Sequence, residues 1–118
     1  MKVIVAGSRT ISDYNVVKKA IETSQFVITE LVSGAARGVD RLGEKFAAEN
    51  NIPTIHFYPD WILGRQAGIL RNLEMAEYAD ALVAVWDGKS RGTKHMINSM
   101  TKLNKPVWVE KYIDNISF

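Results

Sequence analysis

Apolar runs that stop at glycine, serine or proline alternate along the chain with stretches of helical period, the pattern of βαβ units and a parallel sheet. "KVIVAGS" is continuously apolar up to Gly7, as expected of a strand buried on both faces. "SDYNVVKKAIETS" then offers Ser12 or Asp13 as an N-cap and sets Val16, Val17, Ala20 and Ile21 on one stripe of a first helix. "ITELVSG" reads as a second strand ending at Ser33 and Gly34, and Val39, Leu42, Phe46 and Ala47 mark the inner face of a second helix. "PTIHFYP" is the third strand, Leu70, Leu73, Met75 and Ala76 lie along a third helix, and "ALVAVWD" is the fourth strand. A fourth helix carries Met96, Ile97, Met100 and Leu103, and Pro106 then starts a fifth strand, "PVWVEKY", followed by a short tail. No repeat, linker or low-complexity segment interrupts the series. Right-handed crossovers fold such a chain into an α/β, Rossmann-like three-layer domain with a mainly parallel sheet of about five strands.

Composition narrows this without changing it. With 118 residues, 47% of them hydrophobic and 24% charged, residues 1–118 are expected to form a single domain. Fifteen Lys and Arg against thirteen Asp and Glu leave a formal charge of +2, too small for charge alone to argue non-specific nucleic-acid binding. Any basic site must be local. There is no cysteine, which removes disulfides, thiol nucleophiles and Cys-based zinc sites and gives no sign of secretion. Neither a metal site nor a resident cofactor is expected. The opening "MKVIVAGSRT" is too short for a signal peptide or a membrane span, so a cytoplasmic protein with no membrane partner is expected.

Ligands of doubly wound sheets bind outside the carboxyl ends of the strands, which directs attention to four loops. They read "GSRT" (Gly7 to Thr10), "SGAARGVD" (Ser33 to Asp40), "YPDW" (Tyr58 to Trp61) and "WDGKSRGT" (Trp86 to Thr93). Three are rich in Gly, Ser, Thr and Arg. Glycine lets the backbone approach a ligand, free N–H groups at a helix start stabilise a phosphate, and arginine adds bidentate donors. A nucleotide-like, phosphate-bearing ligand is therefore expected on Gly7, Ser8, Arg9, Ser33, Gly34, Ala35, Arg37, Asp40, Asp87, Gly88, Arg91, Gly92 and Thr93, with Trp61 able to stack on a base. Plainer readings stand beside these. Arg37 and Arg91 also read as solvated arginines, Asp40 as a helix-start acid favoured by the dipole, and Trp61 as cover for a core edge. His56 reads as structural. His95 is a weak general-base candidate because no carboxylate adjoins it in sequence, and Met96, Met100 and Leu103 read as core.

"GSR" after the first strand, "SGAARGVD" after the second and "LRNLEMAEYADALVAVWDGKSRGT" together resemble the superfamily, often called SLOG, that joins the DNA-processing protein DprA (Smf) to the LOG, lysine decarboxylase-like proteins. Within it the chain resembles most the small stand-alone YspA/YpsA-like members, from Val3 to about Val109. The resemblance implies a Rossmann-like fold, self-association into a homo-oligomer, and binding of nucleotides or nucleotide-derived ligands.

Two branches imply different chemistries. LOG enzymes hydrolyse the N-glycosidic bond of nucleoside monophosphates with an Arg in an "RKxxM" helix and a Glu shortly after a "GGxGT" loop. Arg71 in "LRNLEMAEYAD" matches that Arg, with Met75 and Ala79-Asp80 in register, and so joins the ligand-binding and catalytic candidates. "DGKSRGTKHM" keeps Gly88, Gly92 and Thr93, yet Met96 stands at the Glu position, and methionine can neither stabilise an oxocarbenium-like centre nor activate water. Asp87, Asp40 or Asp60 would have to supply the acid. In the DprA branch, "SGxARGID" resembles Ser33 to Asp40 and implies single-stranded DNA on the same edge. Arg9, Arg37, Arg65, Arg71 and Arg91 would line its groove, with Tyr58, Trp61 and Trp86 as stacking platforms. The main expectation is a domain that senses or processes a nucleotide-derived phosphate ligand. A nucleoside-monophosphate N-glycosidase and a single-stranded nucleic-acid binder are the alternatives.

Overall fold

The computed structural model describes residues 1–113; the short tail, 114–118, lies outside the described residues. Five strands, β1 (Lys2–Gly7), β2 (Glu30–Ser33), β3 (Thr54–His56), β4 (Ala81–Trp86) and β5 (Val107–Lys111), pair in the order β3-β2-β1-β4-β5. Every pairing is parallel. Four helices connect them: α1 (Tyr14–Ser24), α2 (Val39–Glu49), α3 (Ala67–Tyr78) and α4 (Arg91–Lys102). The order reverses between β1 and β4, so the switch point of this Rossmann-like sheet falls between their carboxyl ends.

Alternation along the strands builds three layers. Val3, Val5, Val83 and Val85 face Val17, Ala20 and Ile21 of α1 and Val39, Phe46 and Ala47 of α2. Ile4, Ala6, Leu82 and Ala84 face Met75 and Ala76 of α3 and Met96 and Met100 of α4. A strand between two helical layers must be apolar at every position, which is why "KVIVAG" and "ALVAVW" read as unbroken runs. Each fully buried Val, Ile or Leu contributes about 1.5–3 kcal/mol. Asp13, rather than Ser12, caps α1 by accepting the Asn15 N–H.

Several elements depart from the sequence pattern. β3 is only three residues, because its partner β2 ends at Ser33, opposite His56, where the Phe57 N–H makes the last bond, to Ser33 O. Leu70 and Leu73 of α3 stay exposed, and so does Leu103, the C-cap of α4, which lies one step beyond the buried stripe. The "YPDW" loop runs on into a 3-10 segment, Trp61–Gln66, capped by Asp60 and entirely outside the core. None of the described helices is long and apolar enough to cross a membrane.

Candidate functional site

Register sets the ends of β1 and β4 level, with Gly7 opposite Val85. They pack so closely that a Cβ on Gly7 would lie 2.0 Å from the Val85 carbonyl oxygen and 2.8 Å from Val39 at the start of α2. Glycine is required there by contact. Beyond it, the Ser8 N–H donates to Val85 O (3.1 Å), and the buried Ser8 hydroxyl accepts the Asp87 N–H (3.0 Å). The loops after β1 and β4 are thereby tied together.

Asp40 joins the loop after β2 to the same point. It sits in the first turn of α2, 5% exposed, and its carboxylate accepts the N–H groups of Ala36 (3.3 Å) and Gly7. Gly38, at φ +78°, brings the turn before α2 against Ser8 and Arg9, where a Cβ would come within 2.5 Å of Ser8 O. Burial pushes the Asp40 carboxyl up to about 6, against the pull of the Ala36 N–H, Arg71 and the Gly7 N–H.

Arg71 reaches the site from α3. Its Nη1 donates to Gly34 O at 2.6 Å and its Nε to Asn72 Oδ1 at 3.0 Å, so the guanidinium is aimed before any ligand arrives. A Cβ on Gly34 would lie 2.8 Å from Arg71 Nη1 and 2.9 Å from Asp40 Oδ2, so any side chain there would displace both. Burial lowers the Arg71 pKa, Asp40 opposes this and Arg9 adds to it; the guanidinium stays charged. Asn72 is itself buried and donates to Gly92 O (3.2 Å) and to His95 Nδ1 (3.3 Å), which joins α3 to the first turn of α4.

The "WDGKSRGT" loop is a capped helix start. Asp87 Oδ1 accepts the N–H groups of Lys89 (2.7 Å) and Ser90 (2.8 Å), with Gly88 turning at φ +84° between them. Those bonds hold the Asp87 carboxyl below the usual carboxylate range. Ser90 caps α4 by accepting the Thr93 N–H. The N–H groups of Arg91 and Gly92 belong to the first helical turn, where no intrahelical partner exists.

These parts enclose a cavity of about 320 Å³ at the switch point. Of the residues singled out in the sequence, it brings together Gly7, Ser8, Arg9, Asp40, Arg71, Asp87, Gly92 and Thr93. It adds Thr10, Ala36, Asn72 and Ser90, over a floor of Ala6, Met75 and Met96. Ser33, Gly34, Ala35, Arg37, Trp61, Gly88 and Arg91 are outside the lining. Ser33 turns its hydroxyl to Glu44 (2.6 Å), and Gly34 offers only its carbonyl, to Arg71. Burial would raise Glu44, but Ser33, Arg41 and His56 outweigh it and hold the carboxyl below its ordinary value. Ala35, at φ 60°, and Gly88 shape their turns, Arg37 and Arg91 point to solvent, and Trp61 is 66% exposed on the 3-10 segment. Trp86 donates its indole N–H to Ser90 O and helps fix the loop. Asn72 escaped sequence reasoning, although a signal existed: it shares the inner face of α3 with Met75, Ala76 and Ala79, a polar residue in an apolar stripe.

A sequence model of the YspA, cpYpsA-related SLOG family matches residues 1–64. The chain belongs to that family. The matched residues of this SLOG protein carry "GSRT" and "SGAARGVD" and end before Arg71. It is 33% identical to the Gene 61 protein of Mycobacterium phage D29, over 90% of this chain and 93% of that one. Its fold is similar to that of DNA processing protein A (DprA) from Streptococcus pneumoniae, with a TM-score of 0.76 at 19% identity. That match covers 92% of this chain and 49% of DprA, so the chain spans about half of the larger protein.

Proposed function

We propose that the protein binds a nucleotide or nucleotide-derived phosphate ligand in the switch-point cavity, as a sensor or ligand-processing domain of the cytoplasm. One observation carries this reading: Arg71, pre-aimed by Gly34 and Asn72, opens onto the same cavity as Arg9 and the first turn of α4. Oriented guanidinium groups and uncommitted helix N–H groups together make an anion site. The backbone N–H groups bonded to Asp40 and Asp87 offset part of their negative charge. Calorimetric titration with AMP, GMP, CMP and UMP is the test. At least one should bind, and no binding of any, or unchanged affinity in both Arg9→Ala and Arg71→Ala, overturns the reading.

Exposed Tyr58 and Trp61, with exposed Arg37, Arg65 and Arg91, favour single-stranded nucleic acid as a second reading. The likeness to DprA adds weight through fold alone. A labelled oligonucleotide whose binding weakens in Trp61→Ala but not in Arg71→Ala would support it. Self-association belongs to the same proposal: α3 leaves Ile69, Leu70 and Leu73 exposed beside Leu103 of α4, an apolar strip suited to a second copy. Light scattering should give a dimer that Leu73→Asp converts to monomer.

A further inference from the structure

The switch-point cavity has a neighbour. A second cavity of about 360 Å³ is lined by Thr10, Ile11, Asp87, Lys89, Tyr112 and Ile113. Thr10 and Asp87 line both, so the two spaces meet at these side chains. Each is near the lower end of the roughly 300–1,000 Å³ range of small-molecule sites. Their chemistry differs. The first holds Arg9, Arg71 and the start of α4. The second offers the aromatic and apolar surface of Tyr112 and Ile113 over buried Ile11, which suits a flat ring, and Lys89 adds a donor.

Between them stands a carboxylate that cannot swing away. Asp87 Oδ1 is fixed by the N–H groups of Lys89 and Ser90, and the Ser8 hydroxyl bonds to the same carboxylate. An ionised carboxylate accepts about four hydrogen bonds, so capacity for a further donor is left. Doubly wound dinucleotide-binding sheets likewise use an acidic side chain to hold a ribose hydroxyl.

Building on the phosphate reading above, we propose that the ligand is a ribonucleotide spanning both cavities, with its phosphate against Arg71 and α4, its ribose 2′-hydroxyl on Asp87 and its base beside Tyr112 and Ile113. Asp87 is then the residue that distinguishes ribose from 2′-deoxyribose, a distinction that also disfavours DNA on this edge.

The test is calorimetry of the wild-type protein with AMP, GMP, CMP and UMP, their 2′-deoxy counterparts and ribose 5-phosphate. A 2′-deoxynucleotide should bind about tenfold more weakly than its ribonucleotide, the loss expected for one hydrogen bond to a charged group. Ribose 5-phosphate, which leaves the second cavity empty, should also bind more weakly. Asp87→Asn keeps an oxygen for the Lys89 and Ser90 N–H groups but replaces the charged acceptor by a neutral amide, whose bond to a hydroxyl is weaker, so its preference for the ribo form should shrink severalfold. Tyr112→Ala should weaken nucleotides and leave ribose 5-phosphate unchanged. Equal wild-type affinity for ribo and deoxy forms overturns the ribose assignment while leaving phosphate recognition standing. An undiminished preference in Asp87→Asn overturns the role of Asp87. Ribose 5-phosphate binding as tightly as the nucleotides overturns the base cavity, and no binding of any probe overturns both readings. Should Asp87→Asn fail to fold, the wild-type preference decides.

Discussion

Against α1 and α2 the sheet presents valines and meets Ile21, Val39 and Phe46, and this layer is closed except at the edge where Ile11 and Tyr112 line the second cavity. Against α3 and α4 it meets methionines and alanines, and this layer is incomplete: Met75 and Met96 floor a cavity, and Leu70, Leu73 and Leu103 remain in solvent. Branched side chains with few rotamers suit a layer whose task is to specify the fold. Unbranched methionine adapts to an irregular space, as the floor of a cavity requires. The buried polar groups of the helices follow the same division. Asn72, Thr93 and Ser99 are in α3 and α4, whereas the one buried polar side chain of α2, Asp40, lies at its site end. One face stabilises the fold, and the other gives up packing for a site.

The sharpest way to break this division is to damage each face and see whether stability and binding separate. Phe46→Ala, in the closed layer and away from the cavity, should cost about 3–5 kcal/mol of stability in urea unfolding. Nucleotide affinity of the folded fraction should stay unchanged. A loss of affinity there would show that the two layers are not independent.

Asp40 tests the seam between the faces. Its carboxyl titrates near 4 in the unfolded chain and is raised to about 6 in the fold. The fold therefore favours the protonated form: the stability it contributes is fully present below about pH 4 and is lost as pH rises through 6. That difference is at most about 3 kcal/mol. Thermal unfolding across pH 4–8 should show the wild type losing stability relative to Asp40→Asn as pH rises. Parallel profiles for the two proteins would mean that Asp40 does not titrate in that window.

Arg71→Ala reverses the first experiment. Removing one charge-assisted, bidentate donor should cost about 1.5–3 kcal/mol of binding, ten- to a hundredfold in nucleotide affinity. Stability should fall less, because the side chain is only half-buried. If stability falls by several kcal/mol while affinity holds, the α3 side of the site is structural.

Legibility in the sequence follows the same divide. The closed face was readable because burial from both sides leaves a local mark, the unbroken runs of β1 and β4 and the stripe of α2. "WILGRQ" was not, since its exposed apolar residues imitate a buried run and only their tertiary surroundings show otherwise. At the site, Gly7, Asp40 and Gly92 were legible as loop chemistry beside strand ends. The departure of Ser33 was not, because what draws its hydroxyl away is Glu44, eleven residues further on in the second turn of α2. Resemblance, and not local pattern, singled out Arg71, whose neighbour Asn72 needed only the helical period to be noticed.

The smallest expected effect concerns chemistry itself. Met96 is 1% exposed at the cavity floor, at the position where the resemblance to LOG enzymes expects a glutamate. A thioether there cannot stabilise an oxocarbenium-like centre, so the wild-type protein should release no free base from AMP, GMP, CMP or UMP above the background rate. Chromatographic assay of the four nucleotides checks this. Turnover on the order of 1 per second, abolished by Arg71→Ala, would mean that another acid does the work. Asp87 is then the first to replace, since its carboxyl is held below the usual range and is less buried, whereas burial raises the Asp40 carboxyl to about 6. Met96→Glu sharpens the point from the other side. A carboxylate placed on the buried floor must be desolvated, which raises its pKa and destabilises the fold at neutral pH. Base release gained by that variant would show that Arg71 and the loop before α4 already hold a nucleotide in the geometry of hydrolysis, and that a single side chain separates binding from catalysis.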